Sequence, residues 1–306
     1  MPRVLPFLAA ALLGALPGPA FADWRDDMSV LRIGVLAGGD TTYQVAQLQP
    51  FRAYLETRLG LPVEIAPAAN YAALIEAEAS GRVQYAILSA AGFATAAATC
   101  HCVEPIAAPI AADGAPGYYS VLVVRTDSTI KTLADARNAR LAVAGPDSIA
   151  GRLVPMRAFT HEGIAPEKFF AATVETSDPE AALTTLFSGE ADIAVSWSSL
   201  TGLADSGYDF GVLADMIGDG RLQPGSVRVV WQSALIPFGP HVVRTDMPAE
   251  LKSLLSDALL AMATEAPDAL DAVDRAGYGG GGFAKADAAL YAPIAELVAA
   301  PAVSRP

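Results

Sequence analysis

Short β-branched runs alternate with helix-spaced apolar stretches along almost the whole chain. A pattern of that kind leaves few folds besides a largely parallel sheet with helices on both faces. Residues 31–36 read as a first strand that runs into the turn Gly38-Gly39-Asp40-Thr41-Thr42. Residues 51–59 carry apolar side chains at helical spacing, with Gly60 as the stop. Residues 63–65 form a second strand, 71–79 a helix capped by Asn70, 84–88 a third strand and 90–98 a third helix. The longer strand 118–125 suits a crossover into a second unit. That unit reads helix 132–137, strand 141–144, helix 149–161, strand 170–173, helix 179–188, strand 192–195 and a helical segment near 199–204. Residues 227–232 then return the chain to the first unit, which ends in a helix over 249–263, the loop Gly279-Gly280-Gly281-Gly282 and a helix near 286–299.

Ahead of this pattern lies a different kind of segment. Arg3 is followed by an apolar run to about Leu16, then Pro17-Gly18-Pro19 and Ala20-Phe21-Ala22. A charged start, an apolar middle and a small-x-small end make residues 1–22 a secretory signal peptide, which places the mature protein outside the cytoplasm from about Asp23 onward. The leader holds Arg3 and no acid, so its removal takes the net charge from −13 to −14. An acidic surface with four lysines repels phosphate backbones, which excludes a nucleic-acid partner. The roughly 280 residues that remain exceed one typical core and favour two lobes.

Two motifs could carry chemistry. In Gly145-Pro146-Asp147-Ser148-Ile149-Ala150-Gly151-Arg152 a strand gives way to a helix, and unpaired N–H groups at a helix start can hold an anion. The same residues also make an ordinary helix start capped by Asp147 or Ser148. Cys100-His101-Cys102 holds both cysteines of the protein. In an exported chain the pair can form a tight bridge, remain as free thiols, or join the imidazole as a soft-metal site. Three histidines (His101, His161 and His241) without a G-x-S-x-G, H-E-x-x-H or P-loop pattern argue against an enzyme.

The segment Gly117-Tyr118-Tyr119-Ser120-Val121-Leu122-Val123-Val124-Arg125 resembles the hinge strand of the periplasmic phosphate/phosphite/phosphonate-binding proteins of ABC transporters. Asn70-Tyr71-Ala72-Ala73-Leu74-Ile75 is similar to that family's helix start, and 146–155 to its ligand turn. Trp231-Gln232-Ser233-Ala234-Leu235-Ile236-Pro237 is similar to its return strand, and Gly277-Tyr278 with Phe283 and Tyr291-Ala292-Pro293-Ile294 to its tail. The resemblance implies an α/β, two-lobe periplasmic binding protein (type II) fold, with mostly parallel sheets and hinge strands between lobes. Lobe one would hold 23–118 and 239–306, and lobe two 119–238. It implies a monomeric importer component that takes a small, oxyanion-like molecule to an inner-membrane permease, with no cofactor and no metal. A sensing protein that docks on a membrane receptor kinase is the alternative.

By the same resemblance Tyr71 and Tyr118 stand beside the ligand. The anion cradle carries over poorly. Phosphonate binders read Ser-Thr-Ser-Gly where this chain has Ser148-Ile149-Ala150-Gly151, so two hydroxyls are missing. A histidine of the family is replaced around Asp178, and its acidic pair for an aminoalkyl group falls near Ser199 and Gly239. The expected ligand-binding set is therefore Tyr71, Tyr118, Ser148, Ile149, Ala150, Asp178 and Ser199, with an altered phosphonate site.

Overall fold

The computed structural model describes residues 24–37, 40–146, 148–274 and 280–299. The leader, Gly38-Gly39, Asp147, Gly277-Tyr278 and Gly279 lie outside the described residues. Among the described residues the strands are β1 (Leu31–Leu36), β2 (Val63–Ala68), β3 (Tyr85–Ile87), β4 (Val103–Pro109), β5 (Gly117–Arg125), β6 (Arg140–Val143), β7 (Ala172–Glu175), β8 (Ile193–Ser198), β9 (Val227–Gln232), β10 (Ile236–Pro237), β11 (His241–Arg244) and β12 (Phe283–Ala284). They make two sheets: one in the order β12-β4-β11-β3-β1-β2, the other β10-β5-β8-β6-β7 with β9 also on β5. The chain passes from one sheet to the other twice, between β4 and β5 and between β10 and β11.

The expected mostly parallel sheets are mixed. β2, β1 and β3 run parallel, as do β7, β6 and β8. β11 lies antiparallel to β3 and β4, and β5 antiparallel to β8, β9 and β10. A helix returns the chain to its starting edge and makes parallel neighbours, whereas strands entering from the other sheet arrive reversed. β9, expected to return the chain, belongs wholly to the second sheet.

Several elements stand where their caps predict. Asn70 accepts from Ala73 N–H at the start of helix Tyr71–Ala79, and Gly60 ends helix Gln49–Leu59 in the left-handed region, φ 63°. Other elements differ. Over 132–137 only 134–136 turns helically, because the Asp135 carboxylate already accepts from the N–H groups of Lys131 and Thr132. The strand expected at 170–173 begins at Ala172, since Phe169 and Phe170 turn their rings into the core beside Phe159. Near 199–204 left-handed Leu200 and Gly202 break any helix, and a single turn forms at Ala204–Ser206. Gly280 to Gly282 is no loose loop, because the Gly282 carbonyl accepts from Ile110 N–H at 2.9 Å. β4, helix Thr41–Gln47 and helix Val212–Gly218 have no counterpart in the sequence reading.

One core cluster crosses between the sheets. Ala150 and Val154, which follow β6 of the second sheet, are buried with Leu74, Phe93, Val242 and Tyr291 of the first-sheet elements. The apolar residues of the 149–154 turn therefore have a packing reason.

Candidate binding cleft

A cleft of about 290 Å³ opens at the carboxyl ends of β1 and β3, where open α/β sheets hold ligands. Val35 to Ala37 and Ile87 to Ala90 form one wall, residues 236–239 another, and Ile149 closes on it from the second-sheet side.

The structure brings three of the expected residues to this cleft: Tyr71, Tyr118 and Ile149. Tyr71 is the first residue of its helix and is 36% exposed. Tyr118 is held between rings, stacked on Phe238 at 5.8 Å and edge-on to Trp197 at 5.2 Å. That arrangement fixes the phenol of β5 at the junction of the two sheets.

The other four residues are held by hydrogen bonds away from the lining. Ser148 Oγ accepts from Gly151 N–H at 3.1 Å and caps the π-helical turn Ile149–Leu153. Gly151 has to be glycine, because a Cβ there would lie 2.5 Å from that oxygen and 2.6 Å from the Ala144 methyl. Ala150 is buried, and its carbonyl accepts from Ser120 Oγ at 2.6 Å. Asp178 caps helix Pro179–Ser188, accepting from Ala181 N–H at 2.8 Å. That bond, with the Ser177 hydroxyl, holds its carboxyl below the usual range. Ser199 is buried, and its Oγ accepts from Thr201 and Phe210 N–H groups at 3.3 and 3.4 Å. Arg152, in the same turn, pairs with Glu175 at 2.7 Å.

The sequence reading missed His241. It lines the cleft on β11, is 1% exposed, and its Nδ1 is bound to the Tyr85 hydroxyl of β3. Burial pushes its pKa down to about 3, so it stands there as a neutral imidazole. The ring of Phe283 packs edge-on against it at 4.7 Å. A histidine on an apolar strand gives a weak signal, and a partner 156 residues away gives none. Ser89 is the second residue missed. It caps helix Ala90–Cys100 at the rim, accepting from Gly92 N–H at 3.0 Å.

At the far end of that helix Cys100 and Cys102 are joined as a disulfide. Among the described residues no group of three or more His, Cys, Asp or Glu side chains gathers into a metal site.

Two α/β sheets crossed twice by the chain, with a cleft at the strand ends, give the protein the α/β fold of the periplasmic binding proteins. The chain belongs to the family of periplasmic substrate-binding proteins of phosphonate ABC transporters, whose model matches residues 33–291. Members of this family bind a substrate and are not enzymes. The chain is 29% identical over 211 residues to the phosphate-import protein PhnD of Mycolicibacterium smegmatis, which covers 65% of this chain and 64% of that protein. It therefore spans just under two thirds of that relative. It is 28% identical over 262 residues to the phosphonates-binding periplasmic protein of Escherichia coli, covering 83% and 71% of the two chains. A solved binding-protein component of an ABC phosphonate transporter from Pseudomonas aeruginosa has a TM-score of 0.54 at 24% identity, covering 89% of this chain and 86% of that one.

Proposed function

We propose that this protein is the solute-binding component of an ABC importer. It would capture a small, oxyanion-like molecule between a lobe of residues 23–118 with 239–306 and a lobe of residues 119–238. The mature chain would start at Asp23, and the loaded protein would dock on the inner-membrane permease. The site differs from a three-hydroxyl phosphonate cradle. The observation that supports this is the fate of the turn 148–150: the Ser148 hydroxyl caps Gly151, Ala150 is buried, and Ile149 alone faces the cleft. A hydrogen bond to a charged group contributes about 1.5–3 kcal/mol, so the hydroxyl missing at Ile149 weakens tetrahedral anions by roughly 10- to 100-fold. The cleft keeps Tyr71 and Tyr118 to meet what binds.

Calorimetry on unfolded and refolded, ligand-free protein against phosphate, phosphite and methylphosphonate tests this. Binding of at least one, weaker than in Ile149→Thr, is the expected result. Solution scattering should show compaction at saturation, because a ligand held by both lobes favours the closed state. Absence of binding to all three anions would overturn the oxyanion reading.

A further inference from the structure

The Cys100–Cys102 bridge is the motif that solute binding leaves unused, and its surroundings are unusual for a structural staple. It joins two residues already held by the end of helix Ala90–Cys100, where His101 sits in the left-handed region at φ 51° and donates its N–H to the Ala97 carbonyl. A cross-link over so short a loop removes little freedom from the unfolded chain, so its contribution to stability is small. Both sulfurs instead have donors. Cys102 N–H donates to Cys100 Sγ at 3.3 Å, and Arg244 Nη1 stands 4.0 Å from Cys102 Sγ.

Arg244 is held so that this edge of its guanidinium stays in place. Its Nε and Nη2 donate to the Asp246 carboxylate at 2.9 and 2.7 Å, while Nη1 donates to the backbone carbonyls of Glu78 and Ala79. The Glu78 carboxyl is buried on the same helix end, and burial keeps it protonated near neutrality. It therefore does not compete as a second anion for the guanidinium. A cation beside a sulfur lowers the pKa of its thiol and makes it the better leaving group.

We propose that Cys100–Cys102 is a thiol–disulfide exchange site, with Cys100 the sulfur attacked and Cys102 the thiolate released beside Arg244. The co-reactant is a low-molecular-weight thiol. Its thiolate attacks Cys100 Sγ, forming a mixed disulfide as the Cys100–Cys102 bond breaks, and the electron pair leaves on Cys102. A second thiolate attacks the co-reactant's sulfur in that mixed disulfide and releases Cys100. Two thiols are oxidised to one disulfide, and the protein pair is reduced to the dithiol. The two protons lost by the co-reactant pass to solvent or to the new cysteine thiols.

The test is equilibration of the folded full chain in glutathione buffers, followed by acid quench, alkylation and mass measurement. The expected result is full reversible reduction with the native circular dichroism retained. Peptide mapping of the trapped intermediate should place glutathione on Cys100. Arg244→Met should raise the glutathione ratio needed for half reduction about tenfold, with Arg244→Lys restoring much of the shift. A bridge that stays oxidised until the protein is unfolded would overturn the proposal, as would glutathione trapped on Cys102. An unchanged midpoint in a folded Arg244→Met variant would remove the role of Arg244. The two wild-type measurements decide the matter even if that variant does not fold.

Discussion

Ser148 and Gly151 are joined by a 3.1 Å hydrogen bond from the glycine N–H to the serine hydroxyl, within the turn where a phosphonate cradle is expected. The one hydroxyl that the turn retains thus already holds the helix start. A gain of anion affinity has to come from the side chain that faces the cleft, which is Ile149. Ala150 is a poor place for a hydroxyl, because it packs among Leu74, Phe93 and Tyr291.

Ile149→Thr is therefore expected to tighten methylphosphonate binding by about 10- to 100-fold, the value of one charge-assisted hydrogen bond. Ala150→Ser should add little to affinity and lower stability. Calorimetry on refolded protein distinguishes the two, and equal gains from both variants would show that the turn opens to the cleft more fully than described.

Asp178→Ala separates capping from ligand contact. Loss of the cap on helix Pro179–Ser188 should lower the unfolding free energy by about 1 kcal/mol. Anion affinity should stay within a factor of two. A tenfold loss of affinity with unchanged stability would return Asp178 to the ligand site.

Ligand entry should be visible in tryptophan fluorescence. Trp197 lies edge-on to Tyr118, and Tyr118 lines the cleft, so a molecule against the phenol alters the surroundings of the indole. The expected change is a saturable shift in emission that is lost in Trp197→Phe and kept in Trp231→Phe. A signal that survives Trp197→Phe would place the binding elsewhere.

Two buried groups give stability an unusual dependence on pH. His241 is held at about 3 against 6.5 in the unfolded chain, so between those values the unfolded state binds the extra proton and stability falls as pH falls. Glu78 is raised to about 8 from 4.5, so in that window the native state holds the extra proton and stability falls as pH rises. Each limb has a slope of about 1.4 kcal/mol per pH unit at most. They cancel between 4.5 and 6.5, which predicts a plateau there with losses on both sides. The lowered carboxyls of Asp178, Asp192 and Asp246 add to the acid limb only below their unfolded value of 3.8. Urea unfolding across pH checks this: Glu78→Gln should flatten the alkaline limb above pH 6.5, and His241→Phe the acid limb between pH 3.8 and 4.5. A single maximum near pH 8 would contradict it.

Much of the fold is legible in the chain because its caps act locally. Asn70 and the Asp178-Pro179 pair mark helix ends from their own side chains, and Gly60 from having none. β4 hides because Pro105 and Pro109 resemble loop punctuation, and only the neighbouring β11 and β12 hold it as a strand. Over 132–137 a helical pattern lost to one aspartate that satisfied the backbone in a different way. In the cleft, Tyr71, Tyr118 and Ile149 follow from residue order and resemblance. His241 and Phe238 come from the distant return of the chain, and their contacts with Tyr85 and Tyr118 form only once β11 pairs with β3 and β10 with β5.

The short pairing of Phe283–Ala284 with β4 has a consequence for solubility. An open strand edge is a template on which further chains can add. Here two residues lie across one end of it, Gly281 is pressed so close that a Cβ would stand 2.0 Å from the Ala111 carbonyl, and two prolines strip amides from the strand itself. Cutting the chain before Gly281 would uncover that edge, and aggregation by strand addition, rather than loss of the cleft, is the first failure to expect.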